Sequence, residues 1–505
     1  MRGILGWGVH LPYRRLDRTA IAAVAGTGGG TGTRAVASYD EDTTTMGVAA
    51  ARAALHPAGG AISTLWFTTT APAYQDRTNA TALHAALRLP RTTAAYDATG
   101  AVRCTVAALD AALNAGPAAG PHLVVASDLR TGRPGSADEA AGGDAAAALL
   151  IGEGSGDLPL LAELQAHTSA TEEFLDRWRT PGDQASKTWE DRFGESHYAT
   201  LAAEAWNALL AATGTTPDDI DILLIAGTHE RAATSVLKKT GVGKDRHHDP
   251  FTKTTGNSGA AHPALLLASA LEDAQPEQNI ALLVLADGAD AFLWRTTDAL
   301  TTYRPARPVA DQLTQSGSVP YGRYLAWRGF LPVEPPRRPE PARTSASAAA
   351  RATDWKFALV GSERTDNRNN ADSSSNNADT ATNPNTTVHL PPSPFDSVPH
   401  PTAASEGTIV TFTVDRLAYS PSPPVVFAVV DFDAGGRLPI ELTDVDADEV
   451  AIGLRVEATF RRLSTADGIH NYFWKARPIR RPEQPRQPRQ SRQPRQPEQP
   501  EQENR

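Results

Sequence analysis

The sequence predicts a layered α/β body of two similar halves followed by a C-terminal all-β barrel. Three observations carry that expectation. Residues 1 to about 331 alternate short apolar runs with Ala-rich helical stretches, the pattern of covered sheets in an α/β fold. The same order of elements recurs in the second part of that region. Beyond residue 405 the alternation stops, and five strand-like runs follow with Gly and Pro between them, which suits a small barrel.

In the first half "TLWFTTT" (Thr64–Thr70) reads as a buried strand and "TALHAALRL" as the helix after it. "HLVVASD" (His122–Asp128) and "AAAALLIG" are further strands. In the second half "YATLAAEAWNALLAAT" is a helix, "IDILLIAGT" a strand, "AHPALLLASALEDA" a helix and "NIALLVLADGADAFLWRT" a strand pair. These place the halves at 1–165 and 166–331. Residues 332–405 read as a largely disordered linker: a Pro/Ala/Arg stretch, then an Asn/Ser/Asp/Thr run too poor in apolar residues to offset its ordering entropy. The barrel is expected at 406–478. Residues 479–505 repeat Pro, Gln and Arg and should be extended and solvated.

Composition removes several functions. A net charge of −10 argues against a general nucleic-acid binder, whose affinity rests on neutralising phosphates. The chain has 1 cysteine, so intrachain disulfides and multi-cysteine metal sites are out of reach. "MRGILGWGVHLPYRR" lacks the apolar core and cleavage pattern of a secretory signal. No run approaches the ~18 apolar residues of a membrane span. A cytoplasmic protein, with no membrane partner, is the expectation.

Several stretches, taken in order, resemble the 3-hydroxy-3-methylglutaryl-CoA synthase branch of the thiolase superfamily. They are "GILGWGVHLPYRRLDRTAIA", "RAVASYDEDTTTMGVAAARAAL", "ASDLRTGRPGSADEAAGGDAAAALLIG" and "TTGNSGAAHPALLLASAL". The runs "VVDFDAGGRLPIELTDVD" and "DGIHNYFWKARP" are similar to the OB-fold domain that accompanies archaeal thiolases and synthases. The resemblance implies a five-layered thiolase-like αβαβα body, a homodimer and acyl-CoA substrates, with no resident cofactor. It implies acyl transfer to a cysteine and Claisen-type condensation, which need a thiolate at a helix N-terminus, a proton-transfer group and oxyanion donors. It also implies a cysteine-rich zinc knuckle before the OB fold. That segment has no cysteine here, and His389 and His400 cannot close a tetrahedral site, so no metal is expected.

Without gaps, the family's nucleophile falls on Val102, its acid on Thr70 and its histidine on Ala226. The nearest residues with suitable chemistry are Cys104, His229 and Asn257, and these are the candidate catalytic residues. Each has a plainer reading. Cys104 lies about 200° around a helix from Val102 and suits a buried core position. His229 could cap a helix, and Asn257 could shape a turn. His262, the "HHDP" loop and the Gly-rich "AGTGGGTGT" suit structural or loop roles; Arg103, Arg130 and Arg133 could meet CoA phosphates. Two functions follow from the resemblance. One is an acyl-CoA acyltransferase of synthase type. The other is a catalytically degenerate subunit that partners a thiolase and channels CoA intermediates through the OB-like domain. A nucleic-acid role for the barrel is disfavoured by the acidic "ELTDVDADEV".

Overall fold

Strand order makes the internal duplication visible. The structure is a computed structural model describing residues 2–55, 62–116, 120–334, 338–339, 342, 345–365, 386–396 and 398–480. The first half contains β1 (Arg2–His10), β2 (Thr64–Thr69), β3 (Ala94–Thr99), β4 (His122–Asp128) and β5 (Ala145–Glu153). β2 runs parallel to β3 and β4, β4 is antiparallel to β5, and β5 is antiparallel to β1. The second half contains β6 (Ala162–Ala170), β7 (Ile222–Gly227), β8 (Asn279–Leu285) and β9 (Ala289–Thr296). β7 is parallel to β8, β8 antiparallel to β9, and β9 antiparallel to β6. A single parallel bridge, Leu223 to His247, stands where β3 stands in the first half. The halves join edge to edge where Gly3 and Ile4 pair with Glu163 and Ala162. The division expected between 165 and 166 therefore cuts β6, which belongs wholly to the second half.

Helices cover both faces. α1 (Thr43–Leu55) and α2 (Ala80–Ala86) share a core with the outer face of the first half. α3 (Cys104–Leu113) and α6 (His262–Asp273) form the central layer, joined in one core by Trp7, Val124, Leu149, Leu282 and Trp294. α4 (Asp191–Thr213) and α5 (Glu230–Lys239) cover the outer face of the second half. The five layers follow from burial on both faces. β4 is buried at every residue, as its unbroken apolar run requires. α6 is buried from His262 to Leu271, which suits a helix between two sheets, and Pro263 sits in its first turn.

The segment read as a largely disordered linker carries structure in its described residues. α7 (Ala346–Arg351) and α8 (Thr353–Ala358) lead into a three-stranded antiparallel sheet of β10 (Val360–Thr365), β11 (Thr386–His389) and β12 (Val398–Pro401), with β10 central. Composition hid this because a few apolar residues do the anchoring: Leu359 and Leu390 are buried, and Trp355 and Phe357 pack on the same core. His389 pairs with Asp396 at 2.6 Å and His400 with Glu363 at 2.9 Å. Among the described residues no three His, Cys, Asp or Glu side chains group as metal ligands would. The Asn/Ser/Asp run at 366–385 and residues 481–505 lie outside the described residues.

The barrel comprises β13 (Glu406–Asp415), β14 (Val425–Phe432), β15 (Arg437–Glu441), β16 (Arg455–Ala466) and β17 (Ile469–Pro478). Their order is β15–β14–β13–β16–β17, and a parallel bridge from Leu442 to Ala476 draws the ends together. Tyr472 and Trp474 point into the core, as strand alternation demands, while Phe473 meets Trp355 at 5.3 Å. A buried ionic cluster fixes the barrel to the body. Asp40 of the body accepts from Lys475 at 2.9 Å, Arg461 at 3.3 Å and Thr443 at 2.9 Å. Arg461 also reaches Glu41 at 2.9 Å and Asp444 at 2.5 Å, and Tyr472 donates to Asp42 at 2.8 Å. Against the cost of burial, Lys475 and Arg461 hold the Asp40 carboxyl well below its usual range. Among the described residues no helix is long and apolar enough to cross a membrane.

Candidate functional site

A cleft of about 620 Å³ opens where the parallel strands of both halves end, the place where α/β sheets gather ligands. Thr70 follows β2, Thr99 and Gly100 end β3, and Arg130 and Thr131 follow β4. Thr228 follows β7, and Ala286 and Asp287 follow β8. Ala101 and Val102, just before α3, form the inner wall. Residues 176–184 and Ser186 form the facing wall.

That facing wall is pinned by its arginines. Arg177 and Arg130 share Asp138, at 2.7 and 3.1 Å. Despite burial, the two guanidiniums hold the Asp138 carboxyl down to about 2. Arg179 donates to the carbonyl of Thr70 and so bridges the cleft. Tyr198 donates to Asp176 at 3.3 Å, and its hydroxyl accepts from the Asp287 amide at 3.4 Å. Arg328 is committed to Asp144 and the Ala37 carbonyl. Trp178 sits in the wall and packs against Trp189, with ring centroids 5.8 Å apart. The barrel reaches this region too: the His470 amide donates to the Tyr74 hydroxyl at 2.8 Å, one residue from cleft-lining Gln75.

Two of the three positions implied by the resemblance face this cleft: Thr70 and Val102 line it, whereas Ala226 is fully buried beneath. The Thr70 hydroxyl donates to Asp128, 2.8 Å from either oxygen, and the Thr70 amide donates to the same carboxylate at 3.2 Å. Asp128 also takes the Ala260 amide at 2.9 Å, so it ties β2, β4 and the approach to α6 together.

Cys104, His229 and Asn257 are not brought together in the cleft, and none of them lines it. Cys104 opens α3 but is 9% exposed. Its thiol is surrounded by Thr68, Thr69 and Thr105, and burial, with the charge of Asp128, pushes it up to about 12. His229 is the N-cap of α5: Nδ1 accepts from the Ala232 amide at 3.1 Å, and Nε2 lies 3.0 Å from the Asp191 carbonyl. Both ring nitrogens are thereby engaged, and the neighbouring Thr228 faces the cleft instead. Asn257 donates to the Gly227 carbonyl at 2.7 Å and accepts from the Gly259 amide at 2.9 Å. It braces the turn before α6. Arg103 is equally committed, to Asp290 at 2.9 Å, the Asp287 carbonyl at 2.9 Å and Ser169 at 2.8 Å.

Among the described residues, the cleft-lining side chains include hydroxyls, arginines and carboxylates but no thiol and no imidazole. Such a surface can hold and orient a polar ligand. It offers no group of the kind that takes up an acyl chain as a thioester. The residues missed by sequence reasoning are those of the facing wall, above all Arg177, Trp178 and Arg179. Their signal was present as Arg-Trp-Arg before a Thr-Pro-Gly turn, but only the fold shows that this turn meets the strand ends.

Comparison with known proteins yields a consistent set. The family model for the 3-oxoacyl-[acyl-carrier-protein] synthase III C terminal matches residues 210–293, and that for the ChsH2 C-terminal OB-fold domain matches 400–461. A hydroxymethylglutaryl-CoA synthase of Aeropyrum pernix is 30% identical over 346 residues, covering 66% of this chain and 95% of that protein. One of Methanosphaera stadtmanae is 28% identical over 348 residues, covering 66% and 99%. Among solved structures, an HMG-CoA synthase complexed with CoA is similar with a TM-score of 0.55 at 17% identity, over 64% of this chain and 89% of that one. MvaS in complex with 3-hydroxy-3-methylglutaryl coenzyme A has a TM-score of 0.55 at 20% identity, over 68% and 94%. At these identities the solved structures speak to the fold.

Proposed function

The chain belongs to the hydroxymethylglutaryl-CoA synthase family, and from that premise we propose that it binds acyl-CoA thioesters in the 620 Å³ cleft without forming an acyl-cysteine. It is a non-catalytic, thioester-holding member of a condensing-enzyme assembly. One observation carries this reading: Val102, on which the resemblance places the family's nucleophile, faces the cleft, while the chain's cysteine is buried and does not line it. An acyl-cysteine route needs an accessible thiolate at a helix N-terminus. Here the cleft-facing residue just before α3 carries an isopropyl group, and the thiol that opens α3 is buried.

What remains suits binding. The backbone just before α3 can polarise a thioester carbonyl, because a helix N-terminus favours negative charge. Arg179, with Arg130 and Arg177 around their shared Asp138, supplies guanidinium groups to the walls. The contact of the barrel with Tyr74, beside cleft-lining Gln75, supports a role for the barrel in guiding the thioester. In this reading the protein works in the cytoplasm as a homodimer and passes its ligand to or from a thiolase-type partner that supplies the nucleophile. Co-purification tests for that partner.

The decisive experiment uses radiolabelled acetyl-CoA. Binding by equilibrium dialysis, with no label left on the protein after denaturation, is the expected outcome. Label that survives denaturation restores the acyltransferase reading and removes this one.

A further inference from the structure

Two cavities of about 260 and 280 Å³ lie where the barrel meets the body, and they share a central wall. Arg307, Arg477, Glu457 and Glu406 line both. Neither shares a lining residue with the large cleft. Most carboxylates here are already engaged. Glu457 accepts from Arg477 at 2.8 Å, Glu406 pairs with Arg455 at 2.9 Å, and Asp444 pairs with Arg461 at 2.5 Å. Asp311 is the remaining acidic side chain on the wall.

Two guanidiniums have no carboxylate within ion-pair distance among the described residues. Arg52 donates to the Ala403 carbonyl at 2.5 Å and lies over the Trp474 ring at 4.8 Å. Arg307 has no side-chain hydrogen bond among the described residues, and its Nη1 is buried without a partner. A guanidinium does not escape burial by losing its proton under physiological conditions, so an unpartnered buried one is costly. The surroundings make this worse. Burial, followed by the like charge of Arg477, pushes Arg307 down to about 10. His10 is held well below its usual range by burial and then by Arg477, Arg307 and Arg461. Beyond burial, Arg307 and His10 thus both feel the like charge of Arg477 at one junction.

We propose that this junction is a binding site for a phosphate group, gripped by Arg307 with Arg52 and Arg477 beside it. A dianion matches the two unpaired guanidinium charges, and the planar fork of arginine suits phosphate oxygens. Each cavity has room for a phosphate. Because Arg52 and Arg307 belong to the body and Arg477 to the barrel, the ligand clamps the two together. Binding then stabilises the docked form by mass action.

The test is a titration of the full chain with inorganic phosphate, against sodium chloride at equal ionic strength, read by calorimetry. A saturable rise in Tm beyond that in chloride is expected. Arg307→Gln should weaken phosphate binding by at least about tenfold, the scale of one charge-assisted hydrogen bond. Its Tm in chloride should match or exceed that of the unaltered protein, because an uncompensated cation has been removed. Absence of a phosphate-specific rise in the unaltered chain, or a full response in Arg307→Gln, overturns the proposal. If Arg307→Gln does not fold, Arg52→Gln replaces it, with reduced response expected and full response fatal. Adenosine 3′,5′-bisphosphate separates the sources. Arg307-dependent binding tighter than that of phosphate assigns a nucleotide-borne phosphate, and binding no tighter assigns the free ion.

Discussion

Val102→Cys should place a reactive thiol in the cleft while the native Cys104 stays silent. The size of the difference follows from the two environments. Cys104, pushed up to about 12, is thiolate in only about 1 part in 10,000 at pH 8 by simple titration. A thiol at the cleft-facing helix N-terminus has a pKa at or below about 8.5, so at least about one fifth is thiolate. That is a ratio of roughly 2,000. The more basic thiolate is the better nucleophile, and a Brønsted slope of about 0.4–0.5 returns some 40-fold of it. About 50-fold remains from ionisation alone, before the 9% exposure of Cys104 limits access. Loss of one methyl-sized group from the central core costs about 1 kcal/mol, which a domain of this size tolerates. The assay is iodoacetamide labelling of folded protein at pH 8, followed by intact mass, with the unaltered protein in parallel. Acetyl-CoA is then offered to both. Modification of Cys104 in the unaltered protein at within about tenfold of the variant's rate, or an acetyl group on Cys104, would refute the argument from burial.

Other outcomes follow from the same contacts. His229→Ala should cost about 1 kcal/mol of stability, the loss of a helix cap, and leave CoA-thioester binding unchanged by equilibrium dialysis. Asp138→Asn loosens the wall that Arg130 and Arg177 share, so ligand dissociation should quicken by about tenfold or more in stopped flow. Asp40→Asn leaves Lys475 and Arg461 short of a buried partner and should cost about 3–5 kcal/mol, with the barrel becoming protease-sensitive. Glu272 is raised by burial from 4.5 to about 7. An acid whose folded pKa exceeds its unfolded value favours the fold only while protonated, so stability falls as pH rises from about 4.5 to about 7. Glu272→Gln should flatten that decline, by about 1–2 kcal/mol at pH 8 in chemical denaturation, since the carboxyl is partly exposed.

The sequence by itself determined the layers. Apolar runs such as that within His122–Asp128 suit a strand between two covered faces, and the repeated order of elements suggested two halves of one plan. It also determined what Val102 cannot do, since an isopropyl group has no acid–base or nucleophilic chemistry in any fold. Side-chain direction along a helix predicted that Cys104 and Val102 point apart; the structure places Val102 just before α3 rather than on it, lining the cleft, with Cys104 buried at the first helical position. Tertiary structure decided the rest. His229 became a cap because Asp191, 38 residues away in sequence, supplies a carbonyl to its other nitrogen. The small sheet at 360–401 forms because Leu359 and Leu390 find a core that composition cannot reveal. The cleft wall at 176–186 and the arginine junction of body and barrel are long-range meetings of polar residues. Hydrophobic periodicity records which side chains leave water, but not which charges meet when they do. For this reason the layers of the fold were legible in the chain, while the partners of Asp40 and Asp138, and the missing partner of Arg307 among the described residues, were not.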